Sequence, residues 1–176
     1  MKFWTLEFWK DIGYSLNSSQ YLSERLVSIA NIHKANIILE LGAGEGQVTK
    51  YIIAKKGPNT RLVSIENHHE SYMMLQDTYG KQCETHEISA AHLDKILEPN
   101  SVDIIISTLP LGSISPEGVD AILKSAHRCL KSNGIFIQYQ YWMYNRKDIK
   151  QYFTIDTTYW EPRNIGPAFI YKAHKK

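Results

Sequence analysis

Three glycines in five residues, Gly42, Gly44 and Gly46, stand between the apolar run Ile37 to Leu41 and a stretch with helical spacing. A turn that tight needs residues without a Cβ, both to reverse the chain and to let a ligand lie against its backbone. With Ala43 inside it, the segment 42–46 reads as a ligand-binding loop. Glu66 closes the next apolar run, where a carboxylate can accept hydrogen bonds from a ribose diol. The spacing separates two kinds of nucleoside cofactor. Dinucleotide sites favour G-x-G-x-x-G with a pyrophosphate at the helix N-terminus. Here the third glycine comes one residue early, and Gln47 fills its usual place. Glu40, just before the turn, repels a pyrophosphate but attracts a sulfonium or an amino-acid ammonium. The charge sign therefore argues for S-adenosylmethionine over NAD.

Such residues need strands and helices to position them. Ile37 to Leu41, Arg61 to Ile65, Cys83 to Ile88 and Val102 to Ser107 read as strands, the last centred on Ile104-Ile105-Ile106. Between them, Val48 to Lys55 and His69 to Tyr79 have helical spacing, stopped by Gly57-Pro58 and Gly80, and Ala91 to Leu97 suits a short helix. Gly118 to Leu130 is a longer helix, after which Asn133-Gly134 is expected to turn the chain into a strand from Ile135 to Tyr141. A short helix near Lys147 to Tyr152 precedes a closing antiparallel pair, Phe153 to Trp160 and Ala168 to Ala173. Repeated alternation of strand and helix predicts an α/β fold: a mostly parallel seven-stranded sheet, Rossmann-like, with helices on both faces. Ligands in such sheets bind outside the carboxyl ends of the strands. That places 42–46, 66–67, 88–90, 107–112 and 138–142 at the site.

On these residues the chain resembles the class I methyltransferases, from Ile37 onward. Glu40-Leu41-Gly42-Ala43-Gly44-Glu45-Gly46 is similar to the first motif of that family and Ile65-Glu66-Asn67 to its second. The resemblance implies that Gly42, Ala43, Gly44 and Gly46 line the methionine and ribose portions of the cofactor. Glu66 is implied at the ribose and Asn67 at the adenine edge. Many relatives carry an acid in the third loop; this chain has Ile88-Ser89-Ala90, so Ser89 and the backbone at Ala90 are expected to replace it.

The fourth loop runs Ser107-Thr108-Leu109-Pro110-Leu111-Gly112-Ser113. Enzymes that methylate base amines carry N/D-P-P-Y or N-L-P-Y there, with an aromatic ring to stack on the base. Thr108 and Leu111 hold those places and cannot stack. The loop instead resembles that of the bacterial phospholipid N-methyltransferases. Three further segments agree in order: Asn17 to Leu22 at the lead-in to the first helix, Gln138-Tyr139-Gln140-Tyr141, and Trp160 to Ala168. Departures are Thr108 for the usual glycine, Gly112 for a leucine, and extra residues between Trp160 and Arg163. The resemblance implies transfer of methyl to the amine head group of a phospholipid such as phosphatidylethanolamine. That chemistry is an in-line displacement in which positioning does most of the work. Leu109 and Pro110 are expected at the substrate and Ser107 at the cofactor. A tyrosine, Tyr141 first and Tyr139 second, is expected to hydrogen-bond the amine or relay its proton. Arg163 is placed to bind the lipid phosphate bidentately.

Of 176 residues, 20 are basic and 18 acidic, a net +2 that gives no argument for nucleic acid. Cys83 and Cys129 lie far apart without metal-ligand spacing, so no metal and a reducing cytoplasmic setting are expected. A single domain of residues 1–176 is expected. Its first 16 residues wind as an aromatic amphipathic helix, with Trp4, Leu6, Phe8, Trp9 and Ile12 on one arc. Such a helix suits the inner face of a membrane, or a lid over the site. Competing expectations are an rRNA adenine dimethyltransferase, a small-molecule amine methyltransferase and a cofactor-binding module without turnover.

Overall fold

The computed structural model describes residues 19–141, 145–163 and 168–176. The expected aromatic helix at 1–16 lies outside these residues. The first described helix, α1 (Gln20–Ala30), starts where Ser19 accepts the Leu22 amide as an N-cap. Strand β1 (Ile37–Leu41), helix α2 (Thr49–Lys55), strand β2 (Arg61–Glu66) and helix α3 (His69–Tyr79) follow. Strand β3 (Glu84–Glu87) is shorter than the sequence suggests. The short helix after it is a 3-10 turn, Ala90–Lys95, kinked at His92. Then come β4 (Val102–Ser107), α4 (Pro116–Cys129), β5 (Leu130–Gln140), α5 (Arg146–Tyr152), β6 (Phe153–Glu161) and β7 (Ala168–Lys175). Helix α4 begins earlier than its apolar spacing implies. Ser115 caps it by accepting the Gly118 amide, and Pro116 supplies the φ that a first helical residue needs.

The seven strands form one sheet in the order β3-β2-β1-β4-β5-β7-β6. The first five are parallel; β7 runs antiparallel to both β5 and β6. Strand order reverses at β1, so the carboxyl ends of β1 and β4 open the cleft such folds use for ligands. Two apolar layers cover the faces. Leu39, Leu41, Val63 and Ile65 pack beneath Leu93, α4 and α5. Ile38, Leu62, Ile104, Ile106 and Ile137 pack beneath α1 and α2. Alternate residues of one strand thus serve opposite cores.

Strand β5 departs from expectation. It starts directly from the end of α4, and Asn133-Gly134 is an excursion inside the strand rather than a turn before it. The pairing steps from Val102↔Leu130 to Ile104↔Ile135, which leaves 131–134 as the bulge.

Candidate functional site

The glycine turn is built from positive φ angles that disfavour a side chain. Gly42 has φ +74°, and a Cβ there would come within 2.7 Å of Leu109 Cδ2. Gly46 has φ +92° and faces the ring of Tyr79 and Leu75 of α3, so the turn sits directly on that helix. Gly44, at φ +56°, differs: no atom lies within 4 Å of the position its Cβ would take. It presents bare backbone to open space. The Gly42 and Ala43 amides both donate to the Ile65 carbonyl, at 2.9 and 3.0 Å, tying the turn to the end of β2. Glu66 completes the tie. Its Oε2 accepts the Gly44 amide and its Oε1 the His68 amide, each at 2.8 Å. Each oxygen retains acceptor capacity for a hydroxyl.

Six of the residues singled out in the sequence line one cleft: Gly42, Asn67, Ser89, Ala90, Leu109 and Pro110. Its remaining walls, Ile65, Ile88, Ile114 and Ile122, are apolar. A slot of this kind suits a flat heterocycle with one polar edge. The Ser89 oxygen accepts the Ala91 amide at 3.3 Å, leaving its hydroxyl proton free to donate. Bare Gly44 backbone, the Glu66 carboxylate and the apolar slot together fit the ribose and adenine of a nucleoside cofactor.

Glu40 is not on the cleft. It is fully buried on the α1–α2 side of β1, where Oε2 accepts from Thr49 Oγ1 and Ser64 Oγ, both at 2.7 Å. Its Oε1 has no hydrogen-bond partner among the described residues. Burial pushes its pKa up to about 7, against the opposing effect of the two hydroxyls, with the nearby Glu66 charge adding to the rise. A cation above the turn would favour its ionised form. The two cysteines are inert by the same physics: burial raises Cys83 to about 11 and Cys129 to about 12.

The fourth loop is held from beneath. Ser107 is buried at the end of β4. The Thr108 hydroxyl contacts the carbonyls of Leu41 and Gly42, at 3.2 and 2.5 Å. Leu111 is fully buried. The Leu109 carbonyl accepts Gln138 Nε2 at 3.1 Å and Gln140 Nε2 at 3.4 Å. The sequence places both within the 138–142 segment at the site but gives neither an individual role. Their signal was present all the same: polar residues at alternate positions closing an apolar strand belong to one face and need partners there.

The two candidate tyrosines turn the other way. Tyr139 is buried and Tyr141 half-buried, their rings edge to face at 5.8 Å, and both belong to the α1-side core. The cleft lining contains neither. Arg163 stands apart from the cleft as well. Its Nε and Nη2 donate to Glu161 at 2.8 and 2.9 Å, and its guanidinium lies 4.8 Å from the centre of the Tyr21 ring. The pairing holds the Glu161 carboxyl below its ordinary range. The contact with Tyr21 also joins the first turn of α1 to the segment after Trp160, two distant stretches of sequence.

Comparison with known proteins agrees with this geometry. Residues 38–134 match the family model described as a methyltransferase domain. An ornithine lipid N-methyltransferase from Singulisphaera acidiphila is 28% identical over 161 residues, covering 88% of this chain and 83% of that protein. A ribosomal RNA small subunit methyltransferase A from Ureaplasma urealyticum is 29% identical over 126 residues, covering 66% of this chain and 43% of that protein. Among solved structures, the 1,6-didemethyltoxoflavin-N1-methyltransferase of Burkholderia thailandensis, with bound S-adenosylhomocysteine, superposes with TM-score 0.70 at 15% identity. It covers 89% of this chain and 79% of that one. The matched family segment contains the glycine turn, Glu66 and the whole lining of the cleft, so the chain belongs to the methyltransferase domain family and is an S-adenosylmethionine-dependent methyltransferase.

Proposed function

We propose that the chain transfers methyl groups to the amine head group of a phospholipid such as phosphatidylethanolamine, working peripherally on the inner face of a membrane. The observation that carries this reading is the state of Thr108 and Leu111. Enzymes acting on base amines present a polar side chain and an aromatic ring at these two places. Here the Thr108 hydroxyl is engaged with backbone carbonyls and Leu111 is an aliphatic chain buried in the core. The similarity to an ornithine lipid N-methyltransferase supports an amine-bearing lipid as the substrate class.

The cofactor supplies an electrophilic methyl group on a sulfonium. Glu66 and the Gly44 backbone hold its ribose, and Asn67, Ser89 and Ala90 its base. The apolar slot excludes water and strengthens the electrostatics of the site. Glu40, raised to about 7 by burial, would supply negative charge below the turn once a cation above it favours the carboxylate. Leu109 and Pro110 form the wall that the acceptor amine meets. The amine must be neutral to attack; Tyr139 and Tyr141, packed on the α1 side of the sheet, do not line the cleft and are given no part in taking its proton. Arg163 retains N–H donors beyond those given to Glu161, enough to meet a lipid phosphate. Among the described residues no helix is long and apolar enough to cross a membrane. Attachment is assigned to the aromatic segment 1–16, whose Trp4, Phe8 and Trp9 would enter the headgroup region.

The test is transfer of labelled methyl from S-adenosylmethionine to vesicles containing phosphatidylethanolamine. Label is expected in the lipid extract. Label confined to RNA, protein or water-soluble amines overturns the proposal.

A further inference from the structure

Beneath the acceptor loop the sheet carries a polar rung. Ser107 of β4 pairs with Gln138 of β5, and Gln138 pairs with Tyr171 of β7. Register partners in adjacent strands share a face, so the three side chains stand side by side on the face that the loop covers. Ser107 is almost completely buried, and Gln138 and Tyr171 are completely so. Each carries a buried oxygen without a hydrogen-bond partner among the described residues: Ser107 Oγ, Gln138 Oε1 and Tyr171 Oη. One such group is tolerable; three in adjacent register positions are costly unless something satisfies them.

The Gln138 amide shows what is at stake. Its Nε2 donates to the Leu109 carbonyl at 3.1 Å and to the Tyr139 carbonyl at 2.7 Å. Turning the amide over would set its oxygen against both carbonyls, so Nε2 stays on them and Oε1 is the end left to be satisfied. Burial raises the Tyr171 pKa, so its hydroxyl keeps its proton and donates. A single water there can accept from the Ser107 and Tyr171 hydroxyls and donate to Gln138 Oε1. That is the usual complement for a buried water.

We propose that Ser107, Gln138 and Tyr171 form a water-binding rung that fixes the Gln138 amide, and that Gln138 is the positioning residue of the methyl-acceptor loop. This rests on the reading of that loop as the acceptor wall. Leu109 is the lever, because its carbonyl is held by Gln138, its side chain abuts Gly42, and it lines the cleft. A shift at Leu109 displaces the amine from the line of attack, and misplacement by about 1 Å can cost ~100-fold in rate.

Two variants test the clamp and one tests the rung. Gln138→Met keeps the volume and removes both hydrogen-bonding ends; Gln138→Glu keeps an acceptor and removes the donor. Both are expected to lose ~10–100-fold in kcat on phosphatidylethanolamine vesicles, with the calorimetric Kd for S-adenosylmethionine held within about threefold. Wild-type kcat in Gln138→Met overturns the positioning role. Tyr171→Phe reads the water without any substrate. If the hydroxyl is satisfied by water, its loss lowers Tm by ~2–4 °C, and a crystal structure of the wild type shows density within hydrogen-bond distance of all three oxygens. An unchanged or raised Tm, or a dry rung, overturns the proposal. Wild-type turnover in the same assay reports on the lipid reading separately. Should it be absent, melting and density still decide the rung.

Discussion

The Gly44 amide donates to Glu66 Oε2 at 2.8 Å, so the tip of the glycine turn and the acid at the end of the neighbouring strand are one unit. The carboxylate fixes the turn and, with its remaining lone pairs, offers the turn's ligand two acceptors. Glu66→Ala removes both functions. It is expected to weaken S-adenosylmethionine binding ~10–100-fold, the range for a lost hydrogen bond to a charged group, as read by calorimetry.

The glycines divide by what surrounds them. Gly46→Ala forces a Cβ against Tyr79 at a positive φ, so it is expected to lower stability by ~1–3 kcal/mol in urea unfolding. Gly44→Ala meets no atom and strains only the backbone. Its main effect is expected on cofactor affinity. Equal losses of stability in the two variants would contradict the assignment of Gly44 to the ligand.

Glu40 makes the fold pH-dependent. Its pKa rises on folding from 4.5 to about 7, so between these values the native state binds a proton that the unfolded chain has released. Stability from this group is therefore greatest below pH 4.5 and falls as pH rises through 7. The total loss is ~3 kcal/mol, from the two limits of the shift. Urea unfolding from pH 5 to pH 8 is expected to show this slope in the wild type and not in Glu40→Gln. Because a cation above the turn favours the carboxylate, cofactor affinity in the wild type is expected to rise over the same window.

Arg163 is expected to act on substrate affinity rather than on the chemical step. Arg163→Ala should raise KM for phosphatidylethanolamine vesicles ~10-fold with kcat nearly unchanged. The same change in a kcat measured with short-chain soluble lipid would point instead to collapse of the Glu161–Arg163–Tyr21 contact.

Much of this is legible in the amino-acid sequence. The run Val102 to Ser107 and the helix His69 to Tyr79 have the bounds their apolar spacing suggests. The loops after β1, β2, β3 and β4 line one cleft, because a switch in strand order forces them together, whereas 138–142 does not enter its lining. What periodicity cannot give is the face. Spacing of two placed Tyr139 and Tyr141 on the same side of β5, yet only the packing of α1 decides that this side is away from the cleft. The partners of buried polar groups were equally hidden. Glu40 meets Ser64, and Gln138 meets Leu109, through strand order, and Glu40 meets Thr49 only once α2 packs back on β1. The bulge at 131–134 hid the true start of β5, since Asn-Gly reads locally as a turn.

Methylation of a lipid amine by this chain is tested most directly by expression in a host that makes phosphatidylethanolamine but no methylated derivatives, followed by mass spectrometry of the lipids. Species heavier by one or more methyl groups on the head group are predicted, and they should vanish in Glu66→Ala. An unaltered lipid profile, from a purified chain that binds S-adenosylmethionine and methylates RNA, would contradict the account.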